Sequence, residues 1–372
     1  MPFEKTRPVP KIKYGTMSKN TFKQIIPVHY LTKIRKVLDT LSYAAFRIFS
    51  QFELVSSLYY LLFSGAFRRE HRGVIYGRLK YIKELNNSQK TSYLLRRNIH
   101  MLEKGLLMRP QRDIFALDYI EATVACYEHS LLEGDAGLDV KELQWANDVL
   151  TEYFSIVASH PIIEKTKERF ESLSPQLSDS HCIPYKRDFN QRPIFSYDQF
   201  LALIQWRKSV RWYLQEPVPR DLIDRAIYAA AFSPSACNRQ PFEFRIFDEP
   251  SLVQEIASIP MGTRGFSQNF PVIIVVVGKL RSYFNERDRH LIYIDAALAA
   301  MSFMLALETL GLSSCPINWP DIKGYEKKMS VKLNLEPDER PVMLISVGYP
   351  DPEGMVAYSQ KKSLDVIRSY NS

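Results

Sequence analysis

Cysteine is scarce in this chain, since its 372 residues include only Cys126, Cys182, Cys237 and Cys315. No two of them form the CxxC pair that zinc sites and dithiol redox centres use, so we expect no metal site. Few cysteines in so long a chain suit a reducing compartment. We therefore predict a cytoplasmic protein.

The chain also lacks fixed-period repeats and low-complexity segments, and its N-terminus lacks the apolar run of a secretory signal. No GxGxxG loop follows a strand, which excludes a separate dinucleotide-binding domain. Residues 54–67 are the most apolar early stretch, but they fall well short of the roughly 20 residues that span a bilayer. We interpret them as a buried helix. An interfacial membrane helix flanked by Arg68, Arg69 and Arg72 is the alternative.

Acidic residues are scarce in the first third of the chain. Residues 1–112 hold 22 Lys and Arg against 6 Asp and Glu, although the whole chain has a formal net charge of only +8. Such a basic segment favours polyanions, here an anionic surface at the inner face of the membrane. A solvated basic face, or one that pairs with the acidic remainder, is the equal alternative. No known nucleic-acid-binding motif is present, so we expect no nucleic-acid partner.

Periodicity divides the chain into four predicted parts. Residues 1–30, with four prolines and many lysines, form a basic extended arm. Residues 31–173 have apolar positions every three or four residues and form a helical region. Residues 174–196 lack periodicity and form a linker. Residues 197–372 alternate helices with strands, which predicts an α+β domain.

Two runs within this domain predict its core. Residues 271–278, PVIIVVVG, have the continuous β-branched pattern of a strand buried on both faces. Residues 290–312 form a long and almost wholly apolar helix, so we expect it to be central or packed between subunits.

Four motifs in this domain carry polar or basic side chains. In the first, residues 207–211 (RKSVR), a helix would place Arg207 and Arg211 one turn apart with Ser209 at the rim, which suits a phosphate. A solvated basic turn is the simpler interpretation of this motif alone. The second, residues 233–241 (SPSACNRQP), offers amide donors and acceptors that suit a flavin edge, although a capped helix end would also explain it.

The third motif is residues 311–319 (GLSSCPINW), and the fourth is residues 360–364 (QKKSL). Taken in this order, the four motifs resemble the nitroreductase-like family of FMN-dependent oxidoreductases over residues 200–370. The resemblance implies a mixed central sheet flanked by helices, a homodimer, bound FMN, and NADH or NADPH as transient electron donor. Flavin N5 performs the chemistry, so no catalytic side chain is assigned.

The resemblance also implies roles for individual residues. Arg207, Lys208 and Ser209 hold the FMN phosphate, with Lys361 or Lys362 as the C-terminal basic partner. Arg211 lies near flavin N1 and O2. The remaining implied contacts are Pro234, Ser235, Asn238 and Gln240, which reach the flavin of the other subunit, and Pro316, Ile317 and Asn318, whose backbone lies near N5.

Several positions leave alternatives open. Trp319 stands where the family often has a small residue, and it either narrows the substrate pocket or points into the core. Thr263 and Arg264 are loosely aligned candidates for the N3–O4 edge of the flavin. Cys237 and Cys315 are interpreted as structural rather than redox-active.

His100 and Glu103 or Lys104 share a helical face in the N-terminal region, as a surface ion pair or as an acid–base pair. The long N-terminal extension resembles those of nitroreductase-like proteins of bacterial surface-polysaccharide loci, which implies a role in polysaccharide biosynthesis. We therefore predict an FMN-dependent oxidoreductase with an unidentified small-molecule acceptor. The alternative is a binding or scaffolding module at the membrane, with the basic helical half as its working part.

Overall fold

The computed structural model describes residues 28–84, 92–132, 139–173, 175, 177–178 and 181–371. The predicted basic arm lies outside the described residues except for its last three positions, and the predicted linker is described only in part. The chain divides into two compact units, one ending at Arg68 and the other beginning at Arg69. The predicted domain boundary at residue 197 stays a prediction.

The first unit contains two helices, α1 (Val28–Phe49) and α2 (Glu53–Leu62). They contact one another through aromatic side chains, with the rings of Phe49 and Tyr59 5.2 Å apart. The interpretation of residues 54–67 as a buried helix is wrong, since no residue of α2 is buried. The Tyr59 side of α2 packs on α1, and its leucines project to another side.

The second unit begins with a helical region, as predicted. Its helices are α3 (Arg68–Glu84), α4 (Tyr93–Leu106), α5 (Ile120–Leu132), α6 (Val140–Ile156) and α7 (Pro161–Glu171). The last four enclose one apolar core around Tyr127 and Tyr153. Asp139 caps α6 by accepting a hydrogen bond from the Lys141 amide at 3.0 Å, which is the cap that the sequence indicated.

The rest of the second unit is an α+β domain, which confirms the predicted class. Its helices are α8 (Tyr197–Trp206), α9 (Arg220–Ala230), α10 (Pro250–Ala257), α11 (Leu291–Thr309), α12 (Lys323–Leu333) and α13 (Leu364–Ile367). Its strands are β1 (Phe242–Phe247), β2 (Val272–Lys279), β3 (Ser313–Asn318) and β4 (Glu339–Gly348).

The strands form one sheet in the order β1-β2-β4-β3. The prediction of a mixed sheet needs correction, because each of the three strand pairs is antiparallel. A parallel contact occurs at the sheet edge, as an isolated bridge between Ser209 and Ser314. Strands β2 and β3 are both antiparallel to β4, so they run in the same direction, and the chain crosses from one to the other through α11. Because β4 lies between them, no two neighbouring strands are parallel.

The predicted double burial of the central strand is confirmed, since β2 is buried from Val272 to Gly278. Val272, Ile274 and Val276 face a core shared with α9 and α11. The alternate side chains face a second core with α10 and α12. The sheet is therefore a layer between two sets of helices.

Helix α11 is the central helix that the apolar run predicted. The segment Glu286–Thr309 is also the one candidate, among the described residues, with the length and composition to cross a membrane. It packs against the sheet with Ala296, Ala299 and Phe303 fully buried. These contacts explain its apolar character as that of a core helix.

Two glycines one turn apart let α3 approach the α+β domain closely. A Cβ atom at Gly77 would lie 2.9 Å from the Leu280 carbonyl carbon and 3.0 Å from the Arg281 amide nitrogen. At Gly73 it would lie 2.9 Å from the Pro337 carbonyl oxygen. An ion pair between Lys80 and Glu336 closes the same interface at 2.9 Å.

We predict that Gly77→Ala destabilises the protein by roughly 1–3 kcal/mol, because the added methyl overlaps backbone atoms that cannot rotate away. The matched control is Gly324→Ala in α12, where a Cβ meets nothing within 4 Å. The control should change stability by no more than about 0.5 kcal/mol, since Gly324 is exposed in the first turn of α12. Urea denaturation followed by circular dichroism measures both. Equal effects of the two substitutions would show that α3 does not dock through Gly77.

Candidate functional site

The RKSVR motif lies directly after α8 and is extended rather than helical, which corrects the sequence-based prediction. Helix α8 ends at Trp206, and Arg207 is its C-cap residue with φ −55° and ψ 119°. The Val210 amide donates to the Ser314 carbonyl at 3.1 Å. Pairing with the sheet edge thus takes the place of the helical hydrogen bonds.

Because the backbone is extended, the side chains that lie together on one side of the segment differ from those of a helix. In a strand-like segment, residues two apart project the same way, so Arg207, Ser209 and Arg211 line one side. Val210 points the other way and is buried. Tyr213 then anchors the segment, because its hydroxyl donates to the Val210 carbonyl at 2.7 Å and lies 2.8 Å from Ser346 Oγ.

A cavity of about 610 Å³ lies beside this segment, and we call it the cationic cavity. Its walls come from α8, the RKSVR motif and the C-terminal segment. The lining residues are Leu201, Ile204, Gln205, Arg207, Lys208, Ser209, Arg211, Ala357, Tyr358, Ser359, Gln360 and Lys361. Four of them are cations and none is a carboxylate. Its volume lies within the range of small-molecule and cofactor sites.

The charge of this cavity is not balanced by its own lining. Arg207 Nε is buried and has no hydrogen-bond partner within the described part of the chain. A buried guanidinium nitrogen without a partner is costly, so an anion in the cavity would satisfy it. Glu308 is the acidic group near Arg207, and burial raises the pKa of its carboxyl while Arg207 and the Ser313 hydroxyl oppose that rise.

The predicted phosphate residues are therefore brought together, including Lys361 from more than a hundred residues away. Lys362 is exposed and does not line the cationic cavity. Sequence reasoning missed the α8 wall of Leu201, Ile204 and Gln205. Their spacing of three and four residues was the available signal, because it places them on one side of a helix.

The SPSACNRQP loop lies elsewhere, and none of its residues lines the cationic cavity of the same chain. Cys237, Asn238 and Gln240 have φ values of 52°, 50° and 48°. Left-handed backbone costs a non-glycine residue on the order of 1–3 kcal/mol when the surroundings impose it. Ser235 Oγ supports this conformation by accepting from the Gln240 amide at 2.7 Å.

Asp295 holds the start of the same loop from the apolar helix α11. Its Oδ2 accepts hydrogen bonds from the Ala236 amide and the Tyr283 hydroxyl, each at 3.0 Å. Asp295 is 3% exposed. Asp295 was not among the residues predicted from the sequence, although a carboxylate within an apolar helix was a visible signal, because buried acids require partners.

The helical region holds the other end of the loop. Arg96 on α4 donates through Nε to the Asn238 carbonyl at 2.9 Å, and its Nη1 pairs with Glu142 at 2.9 Å. A second cavity of about 650 Å³ lies here, with Gln240 in its lining beside Arg96 and Glu142. Pro234 and Ser235 stay on the loop outside that lining.

The remaining candidates lie in or near the sheet. Pro316, Ile317 and Asn318 belong to β3, with Ile317 buried and Asn318 exposed. Trp319 points into the core, where its indole nitrogen donates to Glu326 at 2.6 Å. It therefore does not narrow the cationic cavity.

The structure also shows the surroundings of the other residues for which the sequence left alternatives. Thr263 is buried and donates to the Ala257 carbonyl at 2.8 Å, whereas Arg264 is exposed. Burial raises the pKa of the Cys315 thiol, which disfavours the reactive thiolate. His100 Nδ1 lies 3.1 Å from Glu103, which also accepts from the Trp145 indole at 3.0 Å.

Comparison with known proteins gives the following matches. A model of the Nitroreductase family matches residues 204–263 and 250–349. Iodotyrosine deiodinase 1 of Sus scrofa is 26% identical in an alignment 200 residues long that covers 45% of this chain and 67% of the relative. Iodotyrosine deiodinase of the bacterium Haliscomenobacter hydrossis is 22% identical over 192 residues, covering 44% of this chain and 85% of the relative. An FMN-dependent nitroreductase structure from Clostridium difficile aligns with a TM-score of 0.40 and 22% identity, covering 46% of this chain and 99% of that one.

We predict that Asp295→Asn destabilises the protein by roughly 1–3 kcal/mol, because the neutral amide oxygen accepts more weakly than the carboxylate and the amide nitrogen adds donors at a position that is 3% exposed. Residues 235–240 should also become more sensitive to limited proteolysis. Asp224→Asn on the exposed side of α9 is the control and should change stability by less than about 0.5 kcal/mol. Indistinguishable urea midpoints for the two variants would contradict the anchoring role of Asp295.

Proposed function

Residues 204–349 form a domain of the Nitroreductase family, and from this premise we propose that the protein is an FMN-dependent oxidoreductase. The observation that carries the proposal is the cationic cavity, with four cations, no lining carboxylate and the unpartnered Nε of Arg207. Such a site suits a ligand with a dianionic phosphate. FMN is a ligand of that kind.

The residues present fit this cofactor. Arg207, Lys208, Ser209 and Lys361 supply charge and donors for the phosphate, and all four line one cavity. Arg211 lies farther along the same extended side, with its guanidinium 5.7 Å from the centre of the Phe266 ring. A cation at that position favours negative charge on the part of the ligand beside it.

Bound FMN supplies two-electron transfer between a nicotinamide donor and an acceptor. The chain has no GxGxxG motif for a separate dinucleotide domain, so NADH or NADPH would use the same cavity in turn with the acceptor. The acceptor is a small molecule in this proposal. Names of the relatives suggest two classes for testing, iodinated tyrosines and nitroaromatics.

The primary experiment is a visible spectrum of the purified protein, followed by anaerobic titration with NADH and, separately, NADPH. We expect a flavin absorption band that bleaches with one donor and returns when 3-iodotyrosine or a nitroaromatic is added. A colourless protein that does not bind added FMN would contradict the proposal. It would favour the scaffolding alternative.

We predict that Arg207→Gln weakens FMN binding by about 10- to 100-fold, since a charge-assisted hydrogen bond contributes about 1.5–3 kcal/mol. Riboflavin lacks the phosphate, so its weaker binding should change little in the same variant. Arg225→Gln, on the exposed side of α9, is the control and should bind FMN as the unaltered protein does. Equal losses for FMN and riboflavin would show that Arg207 does not contact the phosphate.

We further propose a homodimer in which the SPSACNRQP loop of one subunit reaches the cationic cavity of the other. Three surfaces support it. Helix α8 has no buried residue, Ile294 and Leu298 of α11 are exposed, and residues 355–371 are exposed throughout. Apolar surface of this extent is typical of an interface. The loop does not reach the cavity within one chain, so a second subunit would complete the site.

We predict that Ile294→Glu combined with Leu298→Glu produces monomers, because the interface would bury two unpaired carboxylates. Sedimentation velocity measures the change. Leu132→Glu combined with Val331→Glu introduces the same charge at positions that are 79% and 74% exposed and should leave the dimer intact. If the unaltered protein sediments as a monomer at micromolar concentration, the dimer proposal is wrong.

Two expectations from the sequence stay proposals. A role in surface-polysaccharide biosynthesis rests on resemblance of the N-terminal extension alone. Location in the cytoplasm, peripheral at the inner membrane face, rests on cysteine content and on the basic residues 1–112.

A further inference from the structure

The first unit exposes more apolar surface than a soluble protein ordinarily leaves in water. Fifteen large hydrophobic side chains within 34 residues are each at least 40% exposed. They are Ile34, Val37, Leu38, Leu41, Tyr43, Phe46, Ile48, Phe52, Leu54, Leu58, Tyr60, Leu61, Leu62, Phe63 and Phe67. Contiguous exposure of this kind marks an interaction surface.

Helix α1 has its apolar and basic residues on different sides. Ile34, Val37, Leu38, Leu41 and Ile48 recur at helical spacing and form one stripe. Lys33, Lys36 and Arg47 lie about a third of a turn away from this stripe. All of these side chains are exposed.

The apolar stripe of α1 is not the surface that packs on α2. Phe46 and Phe49 make that contact through the Tyr59 ring, at centroid distances of 5.8 and 5.2 Å. At 100° per residue they lie to one side of the stripe. The stripe therefore stays open after the two helices have paired.

Helix α2 has a stripe of its own. Leu54, Leu58, Leu61 and Leu62 follow helical spacing and are between 43% and 73% exposed. Tyr59 lies on the side that contacts α1, away from these leucines. The two helices thus present aliphatic stripes that their mutual contact does not cover.

The charge of this unit decides which partner suits the stripes. Residues 28–68 hold five Lys and Arg against two Asp and Glu, and residues 1–27 add six Lys and Arg against one Glu. No ion pair engages Lys33, Lys36 or Arg47 among the described residues. A second copy would bring like charges together, whereas an anionic lipid surface supplies opposite charge and an apolar layer beneath it.

We propose that α1 and α2 form a membrane-docking element that inserts its aliphatic stripes into the interface of a bilayer containing anionic lipids. Lys33, Lys36 and Arg47 reach the headgroups from the polar side of α1, as long basic side chains do at membrane surfaces. The element lies on the membrane rather than spanning it. This inference does not rest on the bound cofactor, because none of these residues lines the cationic cavity.

The test is co-sedimentation of the full-length protein with vesicles of phosphatidylcholine alone and of phosphatidylcholine mixed with phosphatidylglycerol. We expect binding to the mixed vesicles, at least about tenfold stronger than to neutral ones, and weakened by salt. Leu61→Glu combined with Leu62→Glu should reduce binding at least about tenfold. Leu132→Glu combined with Val331→Glu adds the same charge at exposed positions elsewhere and should bind as the unaltered protein does.

A second set of variants tests the charge. Lys33→Gln, Lys36→Gln and Arg47→Gln together should remove most of the preference for phosphatidylglycerol, since each cation near such a surface contributes severalfold to binding. Lys323→Gln, Lys327→Gln and Lys328→Gln, exposed on α12, make the same change in net charge and should keep the preference. Circular dichroism and sedimentation velocity check folding and mass for every variant.

Three outcomes would overturn the proposal. The protein stays in the supernatant with both vesicle types, or the Leu61 and Leu62 variant binds as well as its control. In the third outcome, that variant changes the oligomeric mass and leaves vesicle binding intact, which would assign the stripes to a second copy of the chain. A protein that binds vesicles but no FMN would leave this inference standing and contradict only the proposed function.

Discussion

Because β2 is removed from water on both faces from Val272 to Val277, it has to lie between two helical layers. The alternate side chains bury into separate cores, one with α9 and α11 and one with α10 and α12. A strand of this composition is not stable at a sheet edge. With β2 central, β4 lies beside it and β3 lies at the edge of the sheet. Another extended segment can pair with that edge.

That border positions the candidate site. The Ser209–Ser314 bridge and the Val210 amide hold the RKSVR segment extended along β3. Two other arginines of the domain, Arg281 and Arg340, have carboxylate partners. Arg281 pairs with Asp338 at 2.6 Å, and Arg340 pairs with Glu326 at 3.3 Å. The cationic cavity has none in its lining, and this difference is the physical reason for assigning it an anionic ligand.

The helical region packs directly against the α+β domain. Its helix α3 reaches the backbone of Leu280 across Gly77, and α4 holds the Asn238 carbonyl through Arg96. Together with Asp295, Arg96 fixes a loop that has several residues in left-handed conformation. Strained loops persist where the surroundings determine them from more than one side. The helical region thus determines the loop conformation together with the α+β domain.

Local sequence patterns were sufficient to predict much of the fold. The β-branched run predicted β2, the apolar period predicted α11, and Asp139 marked the start of α6, because these signals depend on which residues neighbour one another along the chain. The four cations of the cationic cavity were also visible within two of the motifs. Their basic character is a property of the side chains and does not depend on the fold.

Tertiary structure decided what those residues do. The sequence alone suggested a helix for RKSVR, but pairing with β3 made it extended and thereby placed Arg207, Ser209 and Arg211 on one side. Residues 54–67 are apolar enough for a core, but α2 contacts α1 through Tyr59 and its leucines stay exposed to solvent. Trp319 donates a hydrogen bond to Glu326, and Asp295 accepts one from the Ala236 amide. In each pair the two residues belong to separate elements. Such outcomes depend on contacts between distant segments, which composition and periodicity do not encode, because each side chain's partner is determined only when the elements pack together.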